Sequence, residues 1–177
     1  MFQIYMSYGI LKYDPRHSKT RQEDWWLVAE CSRGLVLTYK WLLEREGIKS
    51  VKASKFFQGD YNWQVTQKGI KVAESAWNAH ISVVRGETPL NQNAWKKYQG
   101  ERIEFEYSPI LQSNGAHWWL PVVSKDLDDI RSELGLPKVS SSYISEYFND
   151  QGLVMRCPAQ FHLTIGKDID SPPKRKQ

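Results

Sequence analysis

The sequence predicts an α+β fold built from two similar lobes, because two groups of elements repeat along the chain. Residues 80–84 (HISVV) and 162–166 (HLTIG) are near copies of one another, and the segments that precede them, 25–29 (WWLVA) and 118–122 (WWLPV), are also alike. A helical apolar pattern follows each tryptophan pair. Strand, helix, connector and histidine strand therefore occur twice in the same order, which indicates a degenerate tandem repeat.

Each histidine segment is typical of a half-buried strand. Side chains alternate between the two faces of a strand, so His80 and Ser82 share one face. His162 and Thr164 share a face in the same way. The apolar residues point to the opposite side, namely Ala79, Ile81 and Val83 in one strand and Phe161, Leu163 and Ile165 in the other. Two such strands side by side would place two imidazoles around one small cavity.

The helix of each lobe follows from apolar spacing and capping. Residues 33–46 carry Leu35, Tyr39, Leu42 and Leu43 near helical spacing and are closed by Gly47. The second helix is predicted over 124–135, where Ser124 is a good N-cap residue and aspartates suit the first turn. Its apolar stripe consists of Leu127, Ile130 and Leu134.

Other segments complete the plan. Residues 2–13 and 102–108 have the aromatic, β-branched or alternating composition of strands. Residues 91–98 and 140–148 are expected to form short helices. The connector 48–77 is too long for a simple link inside a compact domain, so we expect it to have structure of its own and to form a lid or substrate wall.

Length and composition indicate a single cytoplasmic domain. The chain has 177 residues, 41% of them hydrophobic, which is enough for a core. We assign the domain to residues 1–170, with repeat halves at about 25–88 and 101–167. No apolar run approaches bilayer length and no signal peptide is evident, so no membrane association is expected. Cys31 and Cys157 are predicted to be buried thiols.

The basic charge of the chain is concentrated at its end. The formal net charge is +4, but Lys174, Arg175 and Lys176 account for three of these charges and leave +1 for the body. We expect residues 171–177 to form a disordered basic tail. A long nucleic-acid groove is therefore not indicated, whereas a small anionic ligand is compatible with the charge.

The paired motifs suit acid–base chemistry on a phosphodiester. In-line cleavage needs one group to accept a proton from the attacking oxygen and another to donate one to the leaving oxygen. Imidazole titrates near neutral pH, so His80 and His162 are the candidates. Ser82 and Thr164 would donate hydrogen bonds to the non-bridging oxygens. No set of metal ligands is evident, and we expect neither a metal nor a cofactor.

Two H-x-[S/T] motifs on strands, in two similar α+β lobes, resemble the 2H phosphoesterase superfamily. The resemblance covers the order of elements from about Trp25 to Lys167. It implies two pseudo-symmetric lobes whose antiparallel sheets face a central cleft, with helices outside. It also implies that the two histidines act as general base and general acid on a nucleotide. Members include LigT-like RNA 2′,3′-cyclic phosphodiesterases and phage enzymes that cut cyclic nucleotide signals.

The substrate stays open between an RNA end with a 2′,3′-cyclic phosphate and a cyclic mono-, di- or oligonucleotide. Arg85 and Lys167 follow their histidines by five residues and are candidates for neutralising phosphate, although solvated cations at strand ends are more common. Tyr61 and Trp63 in the connector are candidates for stacking on a base. We expect a monomer that binds a nucleotide or short RNA.

Less specific interpretations remain open. A histidine followed by a hydroxyl is, in isolation, usually just a polar sheet face. A non-catalytic RNA- or nucleotide-binding module and a purely structural protein are therefore alternatives. His17 and His117 have no matched partner and are expected to be structural. Most tryptophans are expected in the core, including Trp25, Trp26, Trp41 and Trp119.

Overall fold

The computed structural model describes residues 4–15, 25–46, 72–73, 79–109, 111–113, 117–139, 144–148, 154–158 and 161–168. The elements of the first half are β1 (Tyr5–Tyr13), β2 (Trp26–Cys31), α1 (Arg33–Glu46), β3 (Val72–Ala73), β4 (His80–Arg85) and a 3₁₀ turn (Gln92–Ala94). Those of the second half are β5 (Arg102–Tyr107), β6 (Gln112–Ser113), β7 (His117–Val123), α2 (Lys125–Glu133), β8 (Ile144–Phe148), β9 (Val154–Pro158) and β10 (Phe161–Asp168).

Six antiparallel strands close into a barrel. Their order is β10, β4, β2, β1, β5 and β7, and β7 pairs again with β10. The short strands β3 and β6 extend β10 and β7, and β8 and β9 form a separate two-stranded sheet. The predicted α+β class is confirmed. The described strands do not form two sheets across a cleft, because the pairs β1–β5 and β4–β10 join both halves into one barrel.

The duplication seen in the sequence extends to the topology. The order β1, β2, α1, β4 in the first half matches β5, β7, α2, β10 in the second. Two strand pairs join the halves, and each consists of a strand and its counterpart: β1 with β5, and β4 with β10. Each histidine strand has a bulge three residues after its histidine, at Val83 and at Ile165. The two halves therefore share an order of strands and helix and are joined through corresponding strands.

The apolar faces of the histidine strands enter the core as predicted. Ile81, Leu163 and Ile165 are fully buried, and burying a side chain of this size contributes roughly 1.5–3 kcal/mol. Both helices pack against the same core, α1 through Val36 and Leu43, and α2 through Leu127, Ile130 and Leu134. The core thus holds the histidine strands by their apolar faces, and the polar side chains of the motifs lie on the opposite faces.

The second helix begins where the sequence predicts. The Ser124 hydroxyl accepts a hydrogen bond from the Leu127 amide at 3.4 Å and donates one to the Glu104 carbonyl at 2.7 Å. The same side chain therefore caps α2 and ties it to β5. Neither helix in the described part of the chain is long and apolar enough to cross a membrane.

Several local predictions are wrong. Residues 144–148, expected in a helix, form strand β8, because Ile144, Tyr147 and Phe148 suit a strand and β9 provides a hydrogen-bonded partner. Within 91–98 only a 3₁₀ turn forms. Trp41 is 50% exposed on α1 and does not belong to the core.

The connector 48–77, apart from β3, and the tail 171–177 lie outside the described residues.

Cys31 is a buried thiol, as predicted. Its sulfur contacts the Ala29 carbonyl oxygen at 3.3 Å, and burial raises the pKa of the thiol to about 12. The side chain of Cys157 lies outside the described residues. Cys31 therefore contributes to packing and is not a nucleophile at neutral pH.

Candidate active site

One antiparallel pair, Leu163 opposite Ile81, brings the two motifs together. Both side chains are fully buried in the core, so the residues on either side of them point to the opposite face of the sheet. In an antiparallel ladder, the residue before one partner lies opposite the residue after the other. Ser82 therefore neighbours His162, and His80 neighbours Thr164. All four predicted catalytic side chains share one face of two adjacent strands.

An open cleft of about 560 Å³ lies over this face. The volume is within the range of roughly 300–1,000 Å³ that small-molecule sites occupy. The lining residues are Ser82, Val83, Arg85, Glu87, Arg131, Lys138, Val139, Phe161, His162 and Thr164. The cleft thus joins four of the predicted site residues, Ser82, Arg85, His162 and Thr164.

The cleft lies where the two histidine strands, β4 and β10, diverge. In the described residues the two strands pair only at Leu163 and Ile81. A ladder that continued in this register would place Val83 opposite Phe161. Instead, Val83 forms a bulge against β2, and both Val83 and Phe161 line the cleft. The space between the parted strands is the candidate binding site.

His162 is exposed to the cleft but lies in its wall. Its ring contacts Trp119 edge-on, with 5.1 Å between ring centroids, and its neighbour on β7 is Pro121. The protein atoms that surround the imidazole exclude part of its hydration, and this desolvation lowers the pKa of His162 below its ordinary value of 6.5. The imidazole is therefore neutral at neutral pH.

His80 has a different environment. It is only 7% exposed and does not line the cleft. Its ring contacts Trp26 edge-on, with 5.9 Å between centroids. Its neighbour on β2 is Glu30, which forms an ion pair with Lys12. His80 therefore lies beside a carboxylate, whereas His162 lies beside a proline.

The repeated tryptophans contact the histidines. Trp26 and Trp119 are the second residues of the two tryptophan pairs, and each packs on the histidine of its own half. Both are buried, as predicted, but they lie outside the main hydrophobic cluster, which contains Trp118. Trp25 is only partly buried. The sequence repeat therefore encodes a histidine–indole contact in each half.

The structure separates the predicted phosphate-binding cations. Arg85 lines the cleft, and its guanidinium carbon lies 5.4 Å from the centroid of the Trp26 ring. Lys167 pairs with His117 of β7 and Ala73 of β3 and is not part of the cleft lining. Tyr61 and Trp63, predicted to bind a base, lie outside the described residues, as does His17.

Three charged cleft residues were not predicted: Glu87, Arg131 and Lys138. Arg131 is 4% exposed and forms a bidentate ion pair with Glu87, with N–O distances of 2.7 and 2.8 Å. The hydrogen bonds from Arg131 hold the pKa of the Glu87 carboxyl below its usual value. A signal was present, since Arg131 occupies the helical stripe of Leu127, Ile130 and Leu134, where a charge needs a partner.

The cleft is suited to a small anion. With Arg85, Arg131 and Lys138 opposed by Glu87, its lining has an excess of positive charge. Within the described residues, no group of three or more His, Cys, Asp or Glu side chains is placed to bind a metal. Comparison with known proteins gave no match: no family model matches this chain, no curated protein matches its sequence and no solved structure matches its fold.

Proposed function

We propose that the protein is a metal-independent phosphodiesterase that cleaves a nucleotide phosphodiester by two-histidine acid–base catalysis. The substrate would be an RNA 2′,3′-cyclic phosphate or a cyclic mono-, di- or oligonucleotide, including signals that phage-type enzymes degrade. The observation that carries the proposal is the pair Leu163–Ile81, around which both H-x-[S/T] motifs meet on one face. The proposal includes a 2H-like arrangement, in which each half supplies one histidine strand to a common site.

In this mechanism His162 is the general base. It reaches the cleft and its lowered pKa keeps it neutral at neutral pH, the state that accepts a proton. It would remove the proton from the attacking hydroxyl or water. General acid or base assistance of this kind contributes about 10²- to 10⁴-fold to the rate.

His80 is the general acid. It is the histidine of the other motif, and Glu30 lies opposite it on β2. His80 would pass its proton to the leaving oxygen on the far side of phosphorus from the attacking oxygen, as in-line displacement requires. In this proposal the two histidines therefore take opposite roles, His162 as base and His80 as acid.

The hydroxyls and Arg85 bind the phosphoryl group. Ser82 lies beside His162 and Thr164 lies beside His80, so two hydroxyls lie between the two imidazoles, and both line the cleft. They would donate hydrogen bonds to the non-bridging oxygens as charge develops there. Arg85, at the end of the same strand, would provide a charge-assisted contact.

A non-catalytic nucleotide-binding module is the second candidate. One observation favours it: His80 is almost completely buried and does not line the cleft. A protein of this kind would use the cationic cleft and the hydroxyls to bind a phosphate without proton transfer by His80. Turnover distinguishes the two candidates directly.

The decisive experiment incubates the purified protein in EDTA with a panel of 2′,3′-cyclic nucleotides, RNA ends and cyclic dinucleotides, with products identified by mass. We expect cleavage of at least one substrate, and loss of cleavage in His162→Ala and His80→Ala. His117→Ala is the matched control, since it removes a histidine from β7 outside the cleft lining. Binding without cleavage of any substrate would support the second candidate and exclude the first.

A further inference from the structure

Arg131 joins three parts of the cleft wall. From helix α2, its Nε donates to the Pro137 carbonyl at 3.0 Å, and Nη1 donates to the Val83 carbonyl at 2.7 Å. Nη1 and Nη2 also bind the two oxygens of Glu87. These bonds use four of the five N–H groups of the guanidinium. The side chain is nearly fully buried, so water has little access to compete for these hydrogen bonds.

The bond to Val83 lies at the point where the two histidine strands part. Val83 is the bulge residue of β4, three residues after His80 and between Ser82 and Arg85. The Val83 carbonyl accepts a hydrogen bond from Arg131 at the residue that the bulge inserts into β4. The guanidinium therefore satisfies a backbone group at the irregular end of this strand.

Glu87 fixes the other end of this strand segment. It follows Arg85 by two residues, and the bidentate geometry allows little rotation of either side chain. Arg131 thus restrains the chain at Val83 within β4 and again at Glu87 just after it, on both sides of Arg85. A lysine has one nitrogen at the end of a flexible stem and lacks the planar fork needed for both contacts.

We propose that Arg131 is a positioning residue that fixes the bulged end of β4 and sets the positions of Ser82 and Arg85 in the cleft. This inference rests on the proposed function, because it assigns Ser82 and Arg85 to the phosphoryl group. Arg131 acts through these two residues and not through contact with the reacting atoms, since its fork is occupied by Glu87.

The test compares Arg131→Lys, Arg131→Met and Glu87→Gln with the wild type in cleavage of the best substrate from the panel. Rates are normalised to the folded fraction, measured by circular dichroism at the assay temperature. We expect kcat/KM per folded molecule to fall by about 10- to 100-fold in the Arg131 variants, because displacement of catalytic groups by about 1 Å has effects of this size. In Glu87→Gln, which keeps the shape of the side chain, kcat/KM per folded molecule should fall by less. Lys125→Met is the matched control, because Lys125 is an exposed cation of the same helix paired with Asp129.

Two further measurements separate positioning from general destabilisation. In a double-mutant cycle with Ser82→Ala, the effects of Arg131→Lys and Ser82→Ala should be non-additive, since Arg131 acts through Ser82. The pH–rate profile of Arg131→Lys should keep the wild-type shape, because both histidines remain.

Wild-type kcat/KM per folded molecule in both Arg131 variants, or fully additive effects in the cycle, would overturn the positioning role alone. An active wild type that is unaffected by His162→Ala would instead overturn the proposed function. A wild type without turnover would overturn both proposals.

Discussion

Glu30 lies directly opposite His80 in the antiparallel pair of β2 and β4, while Pro121 occupies the corresponding place beside His162. Each histidine contacts a tryptophan and neighbours a hydroxyl residue of the other half, but only His162 lines the cleft. The two histidines therefore differ in their cross-strand neighbours and in their access to the cleft.

The first prediction concerns Glu30. Replacing it by glutamine removes the charge of the residue opposite His80. We expect kcat/KM to fall by less than in His80→Ala, because the proposed proton-transfer group itself remains, and kinetics at neutral pH measure the fall. The charges that face His162 across the cleft, on Arg85, Glu87, Arg131 and Lys138, are unchanged in this variant.

Glu104→Gln is the control for Glu30→Gln, because Glu104 is an exposed glutamate of β5 on another part of the barrel. A wild-type kcat/KM in Glu30→Gln would mean that Glu30 does not support proton transfer by His80.

The second prediction concerns the stability of the fold. The pKa of His162 is lower in the native state than its ordinary value of 6.5. At pH values between the native and the unfolded pKa, the unfolded state therefore binds more protons. The stabilising contribution of the neutral imidazole is complete above the unfolded pKa and is lost as the pH falls through the folded pKa. Between neutral pH and about pH 5, the Tm of the wild type should therefore fall more than that of His162→Gln. Parallel Tm curves for the two proteins would contradict this explanation.

The third prediction concerns the hydroxyls. Ser82→Ala and Thr164→Ala should each lower kcat, by up to roughly 10²-fold, because each removes one donor from the developing charge on the phosphoryl group. The double variant should lose less than the product of the single effects, since both hydroxyls hold the same phosphate. Thr38→Ala, on the exposed face of α1, is a control that keeps the wild-type rate. Independent, multiplicative effects would indicate that the hydroxyls bind different groups.

The fourth prediction concerns Cys31. Burial raises the pKa of its thiol to about 12, so the reactive thiolate is scarce at neutral pH. In a Cys157→Ser variant, a thiol reagent should modify Cys31 only after denaturation, and native activity should survive the treatment. Rapid labelling of the native protein would show that the β2 end of the barrel opens readily.

Local patterns were sufficient to predict much of the fold. The histidine strands, the alternation in β5 and both helices depend on neighbouring residues, and Ser124 caps α2 as its sequence context indicates. The site face could be predicted for the same reason, because alternation alone places each histidine with its hydroxyl. The repeat indicated that the two motifs would meet.

The remaining features depend on contacts between distant residues. Barrel closure needs β1 to pair with β5 and β4 with β10, and no local pattern specifies these partners. Residues 144–148 become a strand because β9 is available for pairing. The Arg131–Glu87 ion pair joins residues 44 positions apart, and the burial of His80 depends on packing around the strand. The cleft itself arises where two strands separate, a feature that alternation does not encode.

The most direct test of two-histidine catalysis is a kinetic comparison of the wild type, His80→Asn, His162→Asn and the double variant. All four are assayed in EDTA with the same substrate. If the paired motifs form one active site, each single variant should lose about 10²- to 10⁴-fold in kcat/KM. The double variant should be scarcely worse than the single variants, since the two imidazoles act as a unit. Wild-type turnover in either single variant, with an unchanged melting curve, would contradict two-histidine catalysis.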